Sequence, residues 1–250
     1  MFNGCVIATH PIRTISITIG IAALGAGFMA IGAPSAEAKP SCFGKKATVV
    51  GTNGKDRLKG SPGKDVVVAR GGKDSVSTGP GKDLLCGGSG DDLLRSGHGR
   101  DKLDGGSGDD EVHGADDNDL LVKGGTGNDF CDGQRGETDK LVCGPGDDLL
   151  LGGSDVSGGP GDDVIRSYGG VVDGGPGNDE IDNTGAGPSV IHAGTGNDVV
   201  IGSFSDDDLF GDDGDDRLSG SDGNDDIDGG TGTDTCDQGT GAGALVNCEL

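Results

Sequence analysis

The chain of 250 residues has no tryptophan, one tyrosine and six phenylalanines, so aromatics make up only 3% of it. Aromatic side chains carry much of the burial in ordinary cores, and their scarcity argues against a conventional globular interior. Positive charge is also short: Lys and Arg number 19 against 43 Asp and Glu, for a formal net charge of −24. A surface this acidic repels nucleic acid and attracts cations. No H-E-x-x-H, G-x-S-x-G, phosphate-binding glycine loop or C-x-x-C occurs. Zinc proteases, serine hydrolases, nucleotide enzymes and zinc ribbons therefore have no motif here.

Long apolar runs are absent except at the start. His10 and Arg13 precede an apolar run from Ile15 to Ile31, and Ala36-Glu37-Ala38 places small residues where a signal peptidase cuts. Residues 1–38 read as a secretory signal peptide cleaved after Ala38. The alternative is an uncleaved anchor helix, disfavoured by Gly20, Gly25 and Gly27 within a run of 17 residues, a marginal membrane span. The mature chain is expected to be secreted and extracellular, with no membrane span after cleavage.

What the chain has in excess is glycine, 55 residues, and aspartate at a fixed spacing. Without a period this composition would read as disordered. From Gly87 the sequence breaks into GGSGDDLLR, SGHGRDKLD and GGSGDDEVH, placing Asp92, Asp101, Asp110 and Asp119 nine apart. The register extends back through Asp83, Asp74 and Asp65 to Asp56. It loosens at Asp129, Asp139 and Asp148, with wider gaps to Asp163, Asp179 and Asp198, and tightens again at Asp207, Asp216, Asp225 and Asp234. Two residues after each of these eighteen aspartates stands Leu, Val or Ile, except at Cys131 and Cys236. Two residues before, fifteen positions are glycine, the exceptions being Asp117, Glu137 and Ser205.

These columns, G-G-x-G-x-D-x-U-x with U a large aliphatic, resemble the repeat-in-toxin (RTX) calcium-binding nonapeptide over nearly all of residues 51–237. The resemblance implies an all-β fold, a right-handed parallel β-roll or β-solenoid. It places calcium at the turns, held by Asp83, Asp92, Asp101, Asp110, Asp119, Asp129, Asp148, Asp163, Asp179, Asp198, Asp207, Asp216, Asp225 and Asp234. Gly88, Gly90, Gly106 and Gly108 are the matching turn glycines.

The residues support that reading independently. Glycine suits turns that need positive φ or close backbone approach, and the aliphatic points inward from a short strand. With two units per coil, each aspartate stacks on the one eighteen residues away, about 4.8 Å along the axis. Asp92 should lie beside Asp74 and Asp110, and Asp83 beside Asp101. Two carboxylates about 5 Å apart repel by roughly 3 kcal/mol at an effective dielectric near 20. A hard divalent cation with oxygen ligands between coils relieves that repulsion. Lys55, Lys64, Lys73 and Lys82 precede the first four key aspartates, and fourteen of the eighteen basic residues after Ala38 lie at or before Lys123. Calcium sites at this end are expected to be weak; the plainer reading is that this slot faces solvent.

Six cysteines follow residue 38, which in an exported, core-poor chain suggests disulfides. Cys131-Asp132 with Leu141-Val142-Cys143 aligns with Cys236-Asp237 and Val246-Asn247-Cys248 at a shift of 105 residues. The expected pairs are Cys131–Cys143 and Cys236–Cys248, leaving Cys42–Cys86 to tie a non-calcium first strand, around Val49, to the array. The alternative is free buried thiols. The repeated cysteine unit divides the chain into 39–143, an N-terminal cap and first repeat array, and 144–250, a second array with a C-terminal disulfide cap. The expected function is calcium binding by a secreted protein that folds on calcium and is not an enzyme. Partners are calcium ions, not nucleic acid; a protein or glycan partner is unspecified. Rival readings are a surface adhesion or matrix protein and, less favoured, a polysaccharide-modifying β-helix enzyme.

Overall fold

The computed structural model describes residues 39–115, 117–134 and 139–249; the signal peptide expected over residues 1–38 lies outside the described residues. Short strands alternate between two parallel sheets, one of eleven strands from Arg57–Lys59 to Thr235–Asp237 and one of twelve from Val49–Val50 to Leu245–Val246. Within each sheet every strand pairs with the strand one coil away, as when Val112 sits beside Leu94 on one side and Cys131 on the other. Among the described residues there is no helix. The fold is an all-β parallel solenoid of about eleven coils.

Its core is two facing columns of aliphatics. One sheet contributes Val76, Leu94, Val112, Leu150, Ile165, Ile181, Val200 and Leu218, and the other Val67, Leu85, Leu103, Val122, Leu141, Val156, Val172, Ile191, Leu209 and Ile227, all at most 1% exposed. Alternation along each strand sends the flanking residues outward, so Leu93 and Leu149 are only half-buried beside Leu94 and Leu150. One inward position departs from the nonapeptide columns. Val122, not Leu121, enters the core after Asp119, because Leu121 pairs with Lys102 while Leu120 is an extra, exposed residue.

The wide aspartate gaps hold whole coils. Between Asp148, Asp163, Asp179 and Asp198 the chain still crosses to the twelve-stranded sheet and back, through Asp155–Ser157, Gly170–Pro176 and Ser189–Thr195. These crossings keep the inward Val156, Val172 and Ile191 but begin at Ser154, Gly170 and Ser189 instead of at aspartate. Strand pairing continues past residue 144 without a gap, Leu141 lying beside Val156.

Disulfides join Cys42 to Cys86, Cys131 to Cys143 and Cys236 to Cys248, with Cα–Cα distances of 5.8, 6.2 and 5.7 Å. Cys131 and Cys143 are both fully buried and link the two sheets through the interior. Cys86 follows the inward Leu85 and so faces out. Its bond to Cys42 fastens the antiparallel hairpin Ser41–Cys42 and Lys45–Lys46 to the outer side of the twelve-stranded sheet.

The inward column predicts a contrast between neighbours. Leu150→Ala should cost about 2–5 kcal/mol by leaving a cavity between coils, whereas Leu149→Ala should cost less than about 1 kcal/mol. Denaturant unfolding of both variants in saturating calcium reads the difference, and equal losses would contradict the assigned faces.

Candidate metal centre

Each key aspartate ends a turn and starts a strand, and the turn glycines explain how its carboxyl becomes buried. In the slot four residues before the aspartate the backbone is left-handed: φ is 120° at Gly88 and 119° at Gly106, and the slot two before repeats this at Gly90 (105°) and Gly108 (120°). Arg70, Ala115, Asp212 and Ser221 take the same conformation in the first of these slots, with φ of 84°, 78°, 68° and 74°. Such φ values cost a side-chain-bearing residue energy that glycine avoids. Five residues before the aspartate, five turns carry a small residue, Ala69, Thr78, Ser96, Cys143 and Ala193, and in others glycine sits where a Cβ would be crowded. A Cβ on Gly105 would lie 2.4 Å from Asp110 Oδ2 and 2.5 Å from the Gly124 carbonyl oxygen of the next coil. On Gly211 it would lie 2.5 Å from Asp216 Oδ2 and 2.3 Å from the Gly229 oxygen.

The two oxygens of each carboxylate have different fates. Oδ1 accepts the backbone N–H of the key aspartate one coil back, as in Asp74 to Asp92 at 2.8 Å, Asp92 to Asp110 at 2.7 Å and Asp83 to Asp101 at 2.7 Å. The same bond links Asp179, Asp198, Asp216 and Asp234 along one edge and Asp207 to Asp225 along the other. All the stacked neighbours expected from the eighteen-residue spacing are therefore in contact. Among the described residues, Oδ2 is buried without a hydrogen-bond partner in fifteen turns: at Asp74, Asp83, Asp92, Asp101, Asp110, Asp119, Asp129, Asp139, Asp148, Asp163, Asp179, Asp198, Asp216, Asp225 and Asp234.

An unsatisfied buried acceptor costs free energy, and more when it is charged. The carboxyls respond by holding their protons. Burial, with neighbouring carboxylates adding to it, pushes Asp119 and Asp163 up to about 8 and Asp110, Asp148 and Asp179 up to about 7, against the partial relief of the Oδ1 hydrogen bond. Among the described residues no three His, Cys, Asp or Glu side chains gather at one point. Around the Gly105 and Gly211 slots, a bare Oδ2 and a main-chain carbonyl oxygen of the adjoining coil, Gly124 or Gly229, both lie within 2.5 Å of one point. An all-oxygen donor set of one carboxylate and carbonyls, next to an orphaned acceptor, fits a hard cation such as calcium and does not fit a soft or transition metal.

The family comparison agrees. Models of the RTX calcium-binding nonapeptide repeat match residues 50–85, 87–121, 173–208, 183–218 and 201–236, together more than half of the chain. The chain belongs to the RTX calcium-binding nonapeptide repeat family. No curated protein matches it. Calcium-binding repeats are thus its defining feature, and no helix among the described residues is long and apolar enough to cross a membrane.

Three features of this RTX array were not read from the sequence. The residue before the key aspartate builds a ladder of its own along the edge of the eleven-stranded sheet. Asp91 Oδ1 accepts the N–H of Asp109, and the pattern continues through Asn128, Asp147, Asp162, Asn178, Asn197 and Asp215 to the N–H of Thr233. The run of Asp and Asn in that slot was the signal for it. Lys73 lies in the same column and reaches the exposed Asp91 at 3.5 Å. Second, the twelve-strand edge lacks a carboxylate at Ser154, Gly170 and Ser189, which intervals of 15, 16 and 19 residues between the flanking aspartates could have revealed. Third, Oδ2 of Asp56, Asp65 and Asp207 is not bare, because hydrogen bonds from the chain reach it.

The raised carboxyls set a pH dependence for the metal-stripped protein. A carboxyl whose pKa rises on folding binds its proton more tightly folded than unfolded, so it favours the fold while protonated. That stability is full below the ordinary carboxylate pKa near 4 and is lost as pH rises through the folded values of about 7 to 8 at Asp110, Asp119, Asp148, Asp163 and Asp179. Far-UV circular dichroism of metal-stripped protein should show β signal decreasing between about pH 5 and pH 9. A signal that increases over that range would contradict the burial of these groups.

Proposed function

We propose that the protein is a secreted calcium-binding repeat protein that folds when it binds calcium and has no catalytic activity of its own. One observation carries the reading: among the described residues, fifteen buried aspartate oxygens have no hydrogen-bond partner. Bound between coils, calcium would supply the positive charge that these oxygens lack. The chain's own part is to bury one carboxylate in each of these turns, to hold it by Oδ1 to the previous coil, and to leave Oδ2 free for a cation. Asp83, Asp92, Asp101, Asp110, Asp119, Asp129, Asp148, Asp163, Asp179, Asp198, Asp216, Asp225 and Asp234 are the proposed side-chain ligands. Asp74 and Asp139 join them, since their Oδ2 atoms are equally bare.

Without the cation, a stack of like charges separated by one strand spacing opposes the coil, and binding free energy becomes folding free energy. The expected signal peptide supports export, where calcium is abundant and the three disulfides can form. The cysteine unit repeated at a shift of 105 residues supports an origin of the array from two tandem parts meeting near residue 144.

Calcium should therefore drive folding. Disulfide-intact protein in chelator at neutral pH should give a largely disordered far-UV spectrum and an expanded hydrodynamic radius, and millimolar calcium should restore both. Magnesium should act far less, because it demands octahedral geometry and gives up water reluctantly. An unchanged spectrum and radius in chelator would refute folding on calcium.

A further inference from the structure

The three aspartates whose Oδ2 is satisfied share one device. At Asp56 the N–H of Thr52 donates to Oδ2 at 2.6 Å and the Thr52 hydroxyl at 2.9 Å. At Asp65 the N–H and hydroxyl of Ser61 donate at 2.6 and 3.2 Å. At Asp207 those of Ser203 donate at 2.7 and 2.9 Å. In each case the donor sits four residues before the aspartate, in the slot that is otherwise left-handed. Thr52, Ser61 and Ser203 do not have positive φ, whereas all other described residues of that slot do. The backbone conformation is what turns the N–H toward the carboxylate. Ser221 shows this by contrast: it occupies the same slot with φ of 74°, its hydroxyl bonds the Gly202 carbonyl instead, and Asp225 Oδ2 stays bare.

The three turns also share a place in the array. Asp56 begins the aspartate column of the eleven-strand edge. Asp65 begins that of the other edge, one coil after Thr48. Asp207 begins the column again after the break, following Ser189, whose N–H donates to Asp207 Oδ1. Every run of stacked carboxylates thus opens with one whose second oxygen is already occupied by an amide and a hydroxyl.

We infer that Thr52, Ser61 and Ser203 are caps that close the first turn of each aspartate run to calcium by donating two hydrogen bonds where other turns leave an acceptor free. This rests on the calcium reading above and sharpens it by specifying which turns fill. A carboxylate with both oxygens hydrogen-bonded has less need of a cation, and the inward N–H and hydroxyl dipoles put positive charge at its approach. The open turns then form a continuous series from Asp74 to Asp234 on the eleven-strand edge. On the other edge they divide into a block from Asp83 to Asp139 and the single turn at Asp225. The weakness expected of the Lys-bearing N-terminal repeats would belong to Asp56 and Asp65, through Thr52 and Ser61, and would not extend to Asp74 and Asp83.

Native mass spectrometry of the full chain at saturating calcium counts bound ions directly. Asp216→Asn, at an open turn, should hold at least one ion fewer than the unaltered chain, while Asp207→Asn should hold the same number. Ser203→Gly combined with Ser205→Gly rewrites GSFSDD as a G-G-x-G-x-D turn and should gain one ion. A lost ion in Asp207→Asn, or no gain in the double variant, overturns the capping inference while calcium binding stands. An unaltered chain without bound calcium would instead overturn the functional reading itself.

Discussion

A carboxylate oxygen buried without a hydrogen-bond donor, and repeated in nearly every turn, is the constraint on which the rest of the array depends. Oδ1 knits each coil to the one before it, from Asp74 to Asp92 to Asp110. Oδ2 of the same side chains is left bare. The chain thus presents an acceptor oxygen in each of these turns and leaves its partner to something it does not encode. Neutralisation by protons is the alternative, and the raised pKa at Asp119 and Asp163 shows the same demand for positive charge.

The hydrophobic contribution is narrow by comparison. Each half-coil buries one inward side chain in a column two side chains thick, and the slot before the turn takes glycine or another small residue where the carboxylate packs close. The solenoid is therefore local in its energetics: every coil rests on its two neighbours, and stability spreads along the axis by nearest-neighbour contacts. The disulfides act at different points of this scheme. Cys131–Cys143 ties the sheets together where the coil length changes, and Cys42–Cys86 holds the leading hairpin flat against the outer face.

The two edges are not equivalent. Aspartate is unbroken along the eleven-strand edge, and the exposed Asp and Asn ladder runs along most of that edge, while on the other edge the same bond joins Asp206, Asn224 and Ala242. Across the molecule, Ser154, Gly170 and Ser189 keep the coil but omit the carboxylate. There Val156, Val172 and Ile191 preserve the core, so inward packing and the carboxylate ladder are separable: the first maintains the stack wherever the second lapses.

The sequence by itself determined the repeat, the inward column, the eighteen-residue stacking and the family, because the turn glycines, the inward aliphatic and the buried aspartate recur at one spacing, each favoured by the chemistry of its slot. Where a slot admits several residue types, only the tertiary structure decided. It showed that the gaps after Asp148 hold full coils, since any small residue can begin a strand where no carboxylate is needed. It moved the core position from Leu121 to Val122, because adjacent aliphatics do not reveal an extra residue until the neighbouring strand fixes the register. It separated Ser203, whose N–H turns toward its aspartate, from Ser221 in the same slot, whose N–H does not. Residue type cannot tell those two serines apart; the sign of φ does, and the fit of each turn against its neighbouring coils selects it.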